Sequence, residues 1–558
     1  MKLDRKTFLK YFGSAGFITA TGGLSTLLAA CGEVTATSTT PAIGTSATSP
    51  VTLDNFNIPL NLPGNQGVLG VLDAANLPFE ITTQQTTLEI LKGKKTTLTV
   101  YQVNQNGQAY TNPIIRLKKG DTFTANLTNK LSEDTTIHWH GLTLDWHMDG
   151  HPSMPVKSGA SYNYSYTVQN RGSTHWYHPH PHKLTAKQAY MGLASFYIID
   201  DDDNLKLNQI LDLKFGETDL PLVIQDKTLD TNGQLVYQPD LNSQFMGFIG
   251  ETTLVNLTPN PYLEVSTRIY RLRLLNGSNA RTYRLAFVKS KSGEKLPYSI
   301  IGVDNGLLDK PYPASEVFLS PGERVEVLLN LRNLAVGDVI ALKSLSFDPM
   351  HNEMSGMSGM SGMGGSGNPQ TPKPEDGAEL YILKLLVKNQ VQYERVIPQT
   401  LSTILPFDKQ NSVTNRFSLS QGMGGMGQAG GSAMQWLING KTFSMNEYLL
   451  TVKKDSPEIW EFHNETQSMP HPMHLHGFSF QVLERQNSPT QIKTLATYGQ
   501  GRLATDLGWK DTVLVWPGET VKLGINFSHN FEGEQTYLGH CHVLEHEDGG
   551  MMFNYKVV

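Results

Sequence analysis

Apolar and β-branched residues recur along this chain in short runs separated by glycine- and asparagine-rich turn signals. Thr96-Thr97-Leu98-Thr99-Val100-Tyr101-Gln102-Val103 and Ile114-Ile115-Arg116-Leu117 are typical, and Gly192-Leu193-Ala194-Ser195-Phe196-Tyr197-Ile198-Ile199 closes the first such series. Runs of this length and composition read as strands. A second series contains Tyr270-Arg271-Leu272-Arg273-Leu274-Leu275-Asn276-Gly277 and Pro321-Gly322-Glu323-Arg324-Val325-Glu326-Val327-Leu328-Leu329. The latter has a counterpart in Pro517-Gly518-Glu519-Thr520-Val521-Lys522-Leu523, a weak self-similarity that points to repeated β-sandwich units. No long stretch carries the 3.6-residue period of an amphipathic helix. The pattern predicts an all-β chain with domains at 53–203, 204–375 and 376–558. Low-complexity stretches interrupt it at 32–52, a Ser/Thr/Ala/Pro tether, at 350–367, a Met-Ser-Gly repeat, and at 422–427.

Composition agrees with that picture. A chain of 558 residues is too long for one core and natural for three. Charged residues are 17%, with 51 Gly and 29 Pro, which favours strands and turns over helices. The formal net charge of −6 and the lack of a basic block in the body of the chain argue against nucleic acid as a partner.

There are 2 cysteines. Cys31 sits in Leu28-Ala29-Ala30-Cys31-Gly32, behind a basic start (Lys2, Arg5, Lys6, Lys10) and a stretch of apolar and small residues. This resembles a bacterial lipoprotein signal spanning 1–31, which implies cleavage before Cys31 and a lipid on its thiol. The protein is then expected to be exported, extracytoplasmic and anchored to the membrane. Asp4-Arg5-Lys6-Thr7-Phe8-Leu9-Lys10 is similar to a twin-arginine export signal, with Arg-Lys where that pattern has Arg-Arg. Gly13, Ser14, Gly16, Gly22, Gly23 and Ser25 weaken a transmembrane reading. Cys541 would be the sole thiol of the mature domain, so no intrachain disulfide is possible and a bound metal is its natural protector.

Cys541 lies in His540-Cys541-His542-Val543-Leu544-Glu545-His546-Glu547-Asp548-Gly549-Gly550-Met551-Met552. Cys541, His546 and Met551 supply a thiolate, an imidazole and a late thioether, and one more imidazole completes a blue copper set. If the run is a strand, His540 and His542 point to the opposite face from Cys541 and serve another metal. The chain has 17 histidines, which scattered at random would give about half of one His-x-His pair. Five occur: His138-Trp139-His140, His178-Pro179-His180, His180-Pro181-His182, His474-Leu475-His476 and His540-Cys541-His542. In His471-Pro472-Met473-His474-Leu475-His476 the last two imidazoles share a face, and His471, an odd number of positions away, becomes the missing partner of Cys541. Zinc suits this donor set less well than copper.

These four motifs resemble the copper signatures of three-domain multicopper oxidases, a family that includes laccases, bilirubin oxidases and bacterial cuprous oxidases. The resemblance covers nearly everything after the tether. It implies three cupredoxin-like Greek-key β-sandwich domains and four coppers per chain. Type 1 copper would fall to His471, Cys541, His546 and Met551, and type 2 copper to His138 and His474. The type 3 pair would fall to His140, His178, His180, His476, His540 and His542, leaving His147, His151 and His182 outside the pattern. Reducing oxygen to water consumes protons, and by the same resemblance Asp149 and Glu547 are the acids that supply them.

The expected reaction is one-electron oxidation of a reductant at type 1 copper, with electrons passing through Cys541 to His540 and His542 and on to O2. Leu345-Ser346-Phe347-Asp348-Pro349-Met350 and its Met-rich continuation resemble the lid of cuprous oxidases, and Met469 matches that group's substrate-copper site. Phe347, Asn352 and Gln467 stand where that pattern has Met, Asp and Asp. The sequence therefore favours a monomeric laccase-type oxidase acting on phenolic or related aromatic reductants, with a cuprous oxidase taking Cu(I) as the alternative. The full donor set opposes a copper-free scaffold relative, and the paired histidines oppose a nitrite reductase.

Overall fold

The computed structural model describes residues 51–75, 77–350, 375–423 and 434–558. The expected leader with Cys31, nearly all of the 32–52 tether, residues 351–367 and part of 422–427 lie outside these. Within them the chain forms six sheets, which pair around three cores. The strands alternate as a half-buried sheet requires: Thr122–Asn129 buries every second residue. Among the described residues the longest helix is Asp202–Ile210, so the absence of helical periodicity in the sequence carries through. The fold is all-β, as expected.

The first sandwich joins a six-stranded sheet to a five-stranded one whose edge strand is His138–His140. That strand pairs antiparallel with Ser173–His178, setting Trp176 opposite His140 and His178 opposite His138. Trp139 points the other way, into the core, where its ring lies 4.9 Å from Phe123 and 5.3 Å from Tyr164. Truncating a tryptophan buried so completely costs about 3–5 kcal/mol. One edge strand thus anchors itself by its middle residue and presents both imidazoles on the opposite face.

The middle sandwich pairs two seven-stranded sheets. Its strand Asp219–Lys227 is buried along its whole length, not alternately, because its charges are paired: Asp219 with Arg273 and Asp226 with Arg281. The strand Leu380–Asn389 pairs with Val339–Ser344 and with Pro261–Ser266, so the middle sheet continues past the break expected at 375.

The last sandwich carries the C-terminal motifs on one sheet, in the order Tyr448–Val452, Met552–Val557, Gln535–Cys541, His471–Leu475, Thr512–Val515. Its register sets Met473 opposite Cys541 and His474 opposite His540. Cys541 belongs to the apolar core of this sandwich, whereas the imidazoles of His540 and His542 stand on the other face against the first sandwich.

Candidate metal centre

Two strands and a short helix gather the donors of the C-terminal run. Cys541 ends Gln535–Cys541, His471 opens His471–Leu475, and His546 sits in helix Leu544–Asp548. Cys541 Sγ lies 3.5 Å from Nδ1 of His471 and 3.5 Å from Nδ1 of His546. Met551 is fully buried in the same core; its carbonyl accepts from the Cys541 N–H at 3.0 Å and its own N–H donates to the His546 carbonyl at 2.8 Å. Burial pushes the Cys541 thiol up, holds His471 well below its usual range and brings His546 down to about 3. Neutral imidazoles facing a buried thiol suit a cation that displaces the thiol proton, since burial otherwise opposes charge there.

The other eight of the ten expected donor histidines, all buried, form a second centre where the first and last sandwiches meet. His138 Nε2 lies 3.3 Å from His474 Nε2. His540 Nε2 lies 3.3 Å from His180 Nε2 and 3.1 Å from His476 Nε2. His140, His178 and His542 bring a third set of nitrogens together. Burial first, and neighbouring imidazoles second, hold His138, His140, His180, His476 and His542 well below their usual range, and burial takes His178 to about 3. Lone pairs thus face lone pairs, an arrangement that a shared cation satisfies.

Hydrogen bonds on the outer side of each ring select the nitrogen turned inward. His138 Nδ1 donates to the Asp149 carbonyl at 2.8 Å, His474 Nδ1 to the Asp511 carbonyl at 2.8 Å, and His178 Nδ1 to the Pro179 carbonyl at 2.9 Å. His476 Nδ1 donates to Asp149 Oδ2 at 2.6 Å. These rings turn Nε2 inward. His140 is reversed: its Nε2 donates to Asp511 Oδ1 at 3.0 Å, and its Nδ1 has no hydrogen-bond partner. His178 Nε2 and both nitrogens of His542 also lack partners, and these are free donor atoms for a metal.

Of the two expected acids, Asp149 braces His138 and His476 from behind. Glu547 stands behind His180 and His540, its carboxylate oxygens 3.3 and 3.5 Å from their Nδ1 atoms. Burial pushes both carboxyls well above the usual range. His147 is exposed and bonded to Asp145, and His151 is buried and bonded to Asn554 and Ser153; neither belongs to a converging group of ligand atoms. Asp511 escaped the sequence reading, because an aspartate heading the apolar strand Thr512–Val515 carries no local mark of a histidine partner.

Phe245 and Trp436 were also missed. His546 Nε2 donates to the Phe245 carbonyl at 2.9 Å, and Trp436 Nε1 donates to the same oxygen at 2.6 Å. The Phe245 and Trp436 rings stack with centroids 4.5 Å apart, and Trp436 meets the His471 ring edge-on at 4.8 Å. Beside them opens a cavity of about 650 Å³ lined by Tyr237, Gln244, Phe245, Trp436, Lys183 and His546, among others.

A thiolate–imidazole centre on one face of a strand, joined through that strand to eight imidazoles on the other, defines a metal-dependent oxidoreductase. Family models described as multicopper oxidase match residues 82–204 and 411–558. The multicopper oxidase mco of Staphylococcus aureus is 31% identical over 484 residues, covering 86% of this chain and 88% of its own. A laccase of Bacillus subtilis is 31% identical over 443 residues, 75% of this chain and 78% of its own. The crystal structure of the McoA multicopper oxidase from the hyperthermophile Aquifex aeolicus superposes with a TM-score of 0.76 at 40% identity, over 89% of this chain and 99% of that one. The chain belongs to the multicopper oxidase family. It is an oxidoreductase that uses O2, and its histidine clusters are compatible with copper.

Proposed function

We propose that the protein is a laccase-type oxidase with four coppers, taking electrons singly from phenolic or related aromatic reductants and spending four of them, with four protons, on reducing O2 to two waters. When bound, copper supplies the one-electron acceptance at the Cys541 centre and the oxygen chemistry at the eight-imidazole centre. His471, Cys541, His546 and Met551 would hold type 1 copper, and His138 and His474 type 2. His140, His178 and His542 would hold one type 3 ion, and His180, His476 and His540 the other. The observation that carries this reading is the join. Cys541 faces one centre while its neighbours His540 and His542 face the other, so one backbone segment links the two.

The cavity beside His546 supports an aromatic reductant. Phe245, Trp436 and Tyr237 offer ring faces, and the space suits a phenol-sized molecule. A cuprous oxidase remains the second reading, because Met469 is buried in the core that holds Cys541. The other described positions do not help it: Phe347 packs edge-on against Phe318 at 5.3 Å in a separate cluster, and Gln467 engages Gln421 through its carbonyl. Asn352 lies outside the described residues. Steady-state rates with a phenol and with Cu(I), on one copper-loaded sample under oxygen, test the choice. Phenol turnover is expected; rapid Cu(I) oxidation without phenol oxidation would replace this reading with the cuprous one.

Met551→Leu is expected to keep the blue absorption and raise the type 1 potential, since losing a weak thioether donor would disfavour Cu(II) relative to Cu(I). Redox titration checks this, and a potential that fell would remove Met551 from the donor set. Export and lipid anchoring through Cys31, with a monomeric enzyme, belong to the same proposal. Labelled fatty acid incorporated by the full chain and lost in Cys31→Ser is the expected result.

A further inference from the structure

Asp511 occupies a place that no ligand motif marks. Its carboxylate is buried and accepts from five donors: Arg324 Nη1 at 2.7 Å and Nη2 at 2.6 Å, Asn305 Nδ2 at 2.9 Å, Thr512 Oγ1 at 2.9 Å and His140 Nε2 at 3.0 Å. Its backbone carbonyl accepts from His474 Nδ1 at 2.8 Å. One residue therefore accepts from the outer nitrogen of two imidazoles far apart in the chain, with Thr512 Oγ1 beside it at 3.2 Å from His140 Nε2 and 3.1 Å from His474 Nδ1. Arg324 is itself fixed, donating to the Thr174 carbonyl at 2.9 Å, to Gly322 at 3.0 Å and to Asp304 at 2.9 Å. Arg324, Asp304 and Asn305 belong to the middle sandwich, which contributes none of the twelve donor side chains assigned above. Gly141 gives independent support. Its φ is +87°, and a Cβ there would lie 2.4 Å from Asp511 Oδ2 and 2.9 Å from Arg324 Nη2. The backbone after His140 has given up a side chain to make room for this pair.

We propose that Asp511, clamped by Arg324, is the positioning residue that turns Nδ1 of His140 toward the metal centre, and that the middle sandwich controls occupancy of the eight-imidazole centre through this clamp. The inference rests on the copper reading above. Without the carboxylate, the hydrogen-bond partner left to His140 Nε2 among the described residues is Thr512 Oγ1, at 3.2 Å. A carboxylate holds an N–H more firmly than a neutral hydroxyl does.

The test compares wild type, Asp511→Asn, Arg324→Lys and Asp219→Asn, each reconstituted with copper. The last breaks another buried ion pair of the middle sandwich, with Arg273, that touches no imidazole. Asp511→Asn sets an amide NH2 against the Arg324 donors whichever way it turns, because both carboxylate oxygens accept from that guanidinium, so it is expected to lose at least half of its type 2 and type 3 copper, read by metal analysis, type 2 electron paramagnetic resonance and type 3 near-ultraviolet absorption. Its blue absorption and type 1 potential should stay as in wild type. Arg324→Lys should lie between the two, and Asp219→Asn should melt earlier yet bind a full complement. Full type 2 and type 3 signals in Asp511→Asn, or parallel loss of blue copper, would overturn the proposal. If Asp511→Asn does not accumulate, Arg324→Lys decides by the same signals. Wild type without blue colour or copper would instead sink the copper reading itself.

Discussion

Cys541→Ser is expected to abolish the blue absorption and reduce oxidase turnover below detection, while copper falls from about four ions per chain to about three. The side chain sits wholly inside the core of the last sandwich, so a serine of similar size disturbs packing little. The loss is chemical. A hydroxyl does not replace a thiolate as a soft donor, and the link to His540 and His542 no longer starts at a metal-bound sulfur. Those two imidazoles keep their positions, because the strand register of His474 opposite His540 does not depend on Cys541. The variant should therefore retain type 2 and type 3 signals and melt near wild type. Metal analysis, visible absorption and a thermal melt check this together. A colourless variant that also lost the other coppers would show that the two centres assemble as one.

Asp149→Asn is expected to leave reduction of the type 1 centre unchanged and slow reoxidation by oxygen about a hundredfold, within the range typical of losing a positioned acid. Asp149 is fully buried, and burial favours its protonated form. An asparagine keeps an oxygen for the His476 Nδ1–H, so the cage is held, but it has no transferable proton. Asp149→Ala removes the acceptor as well, leaving a buried N–H unpaired at a cost of about 1–3 kcal/mol, and should shed copper. Anaerobic stopped-flow reduction followed by mixing with oxygen separates the two half-reactions. Slow reduction with normal reoxidation would contradict the assignment. Glu547→Gln should behave like Asp149→Asn, since Glu547 backs His180 and His540 in the same buried way.

The grouping of these side chains was legible because strand geometry is local. Alternation alone separates Cys541 from His540 and His542, and an odd offset separates His471 from His474 and His476; the structure brings each group together as those offsets require. Asp511 was not legible, because its partner His140 lies 371 positions away and neither segment hints at the other. The break near 375 failed for a related reason. Leu380–Asn389 joins the middle sheet beside Pro261–Ser266, a parallel pairing that leaves no turn signal between the two strands. Arg271, Arg273, Asp219 and Glu326 conceal the buried strands of the middle sandwich. They look like surface charges in the sequence and prove to be partners in one buried network.

The carbonyl of Phe245 has a consequence for how the enzyme chooses among reductants. Because it already accepts the His546 Nε2–H, a reductant arriving at that ring finds no free imidazole proton there, and selection by hydrogen-bond geometry at that ring is lost. What remains is ring contact with Phe245 and Trp436 and the difference in redox potential between donor and metal. Across a series of similarly sized phenols, turnover should then track ease of oxidation more closely than substituent pattern. Breadth of substrate would follow from an occupied hydrogen bond, with no need for a loose pocket.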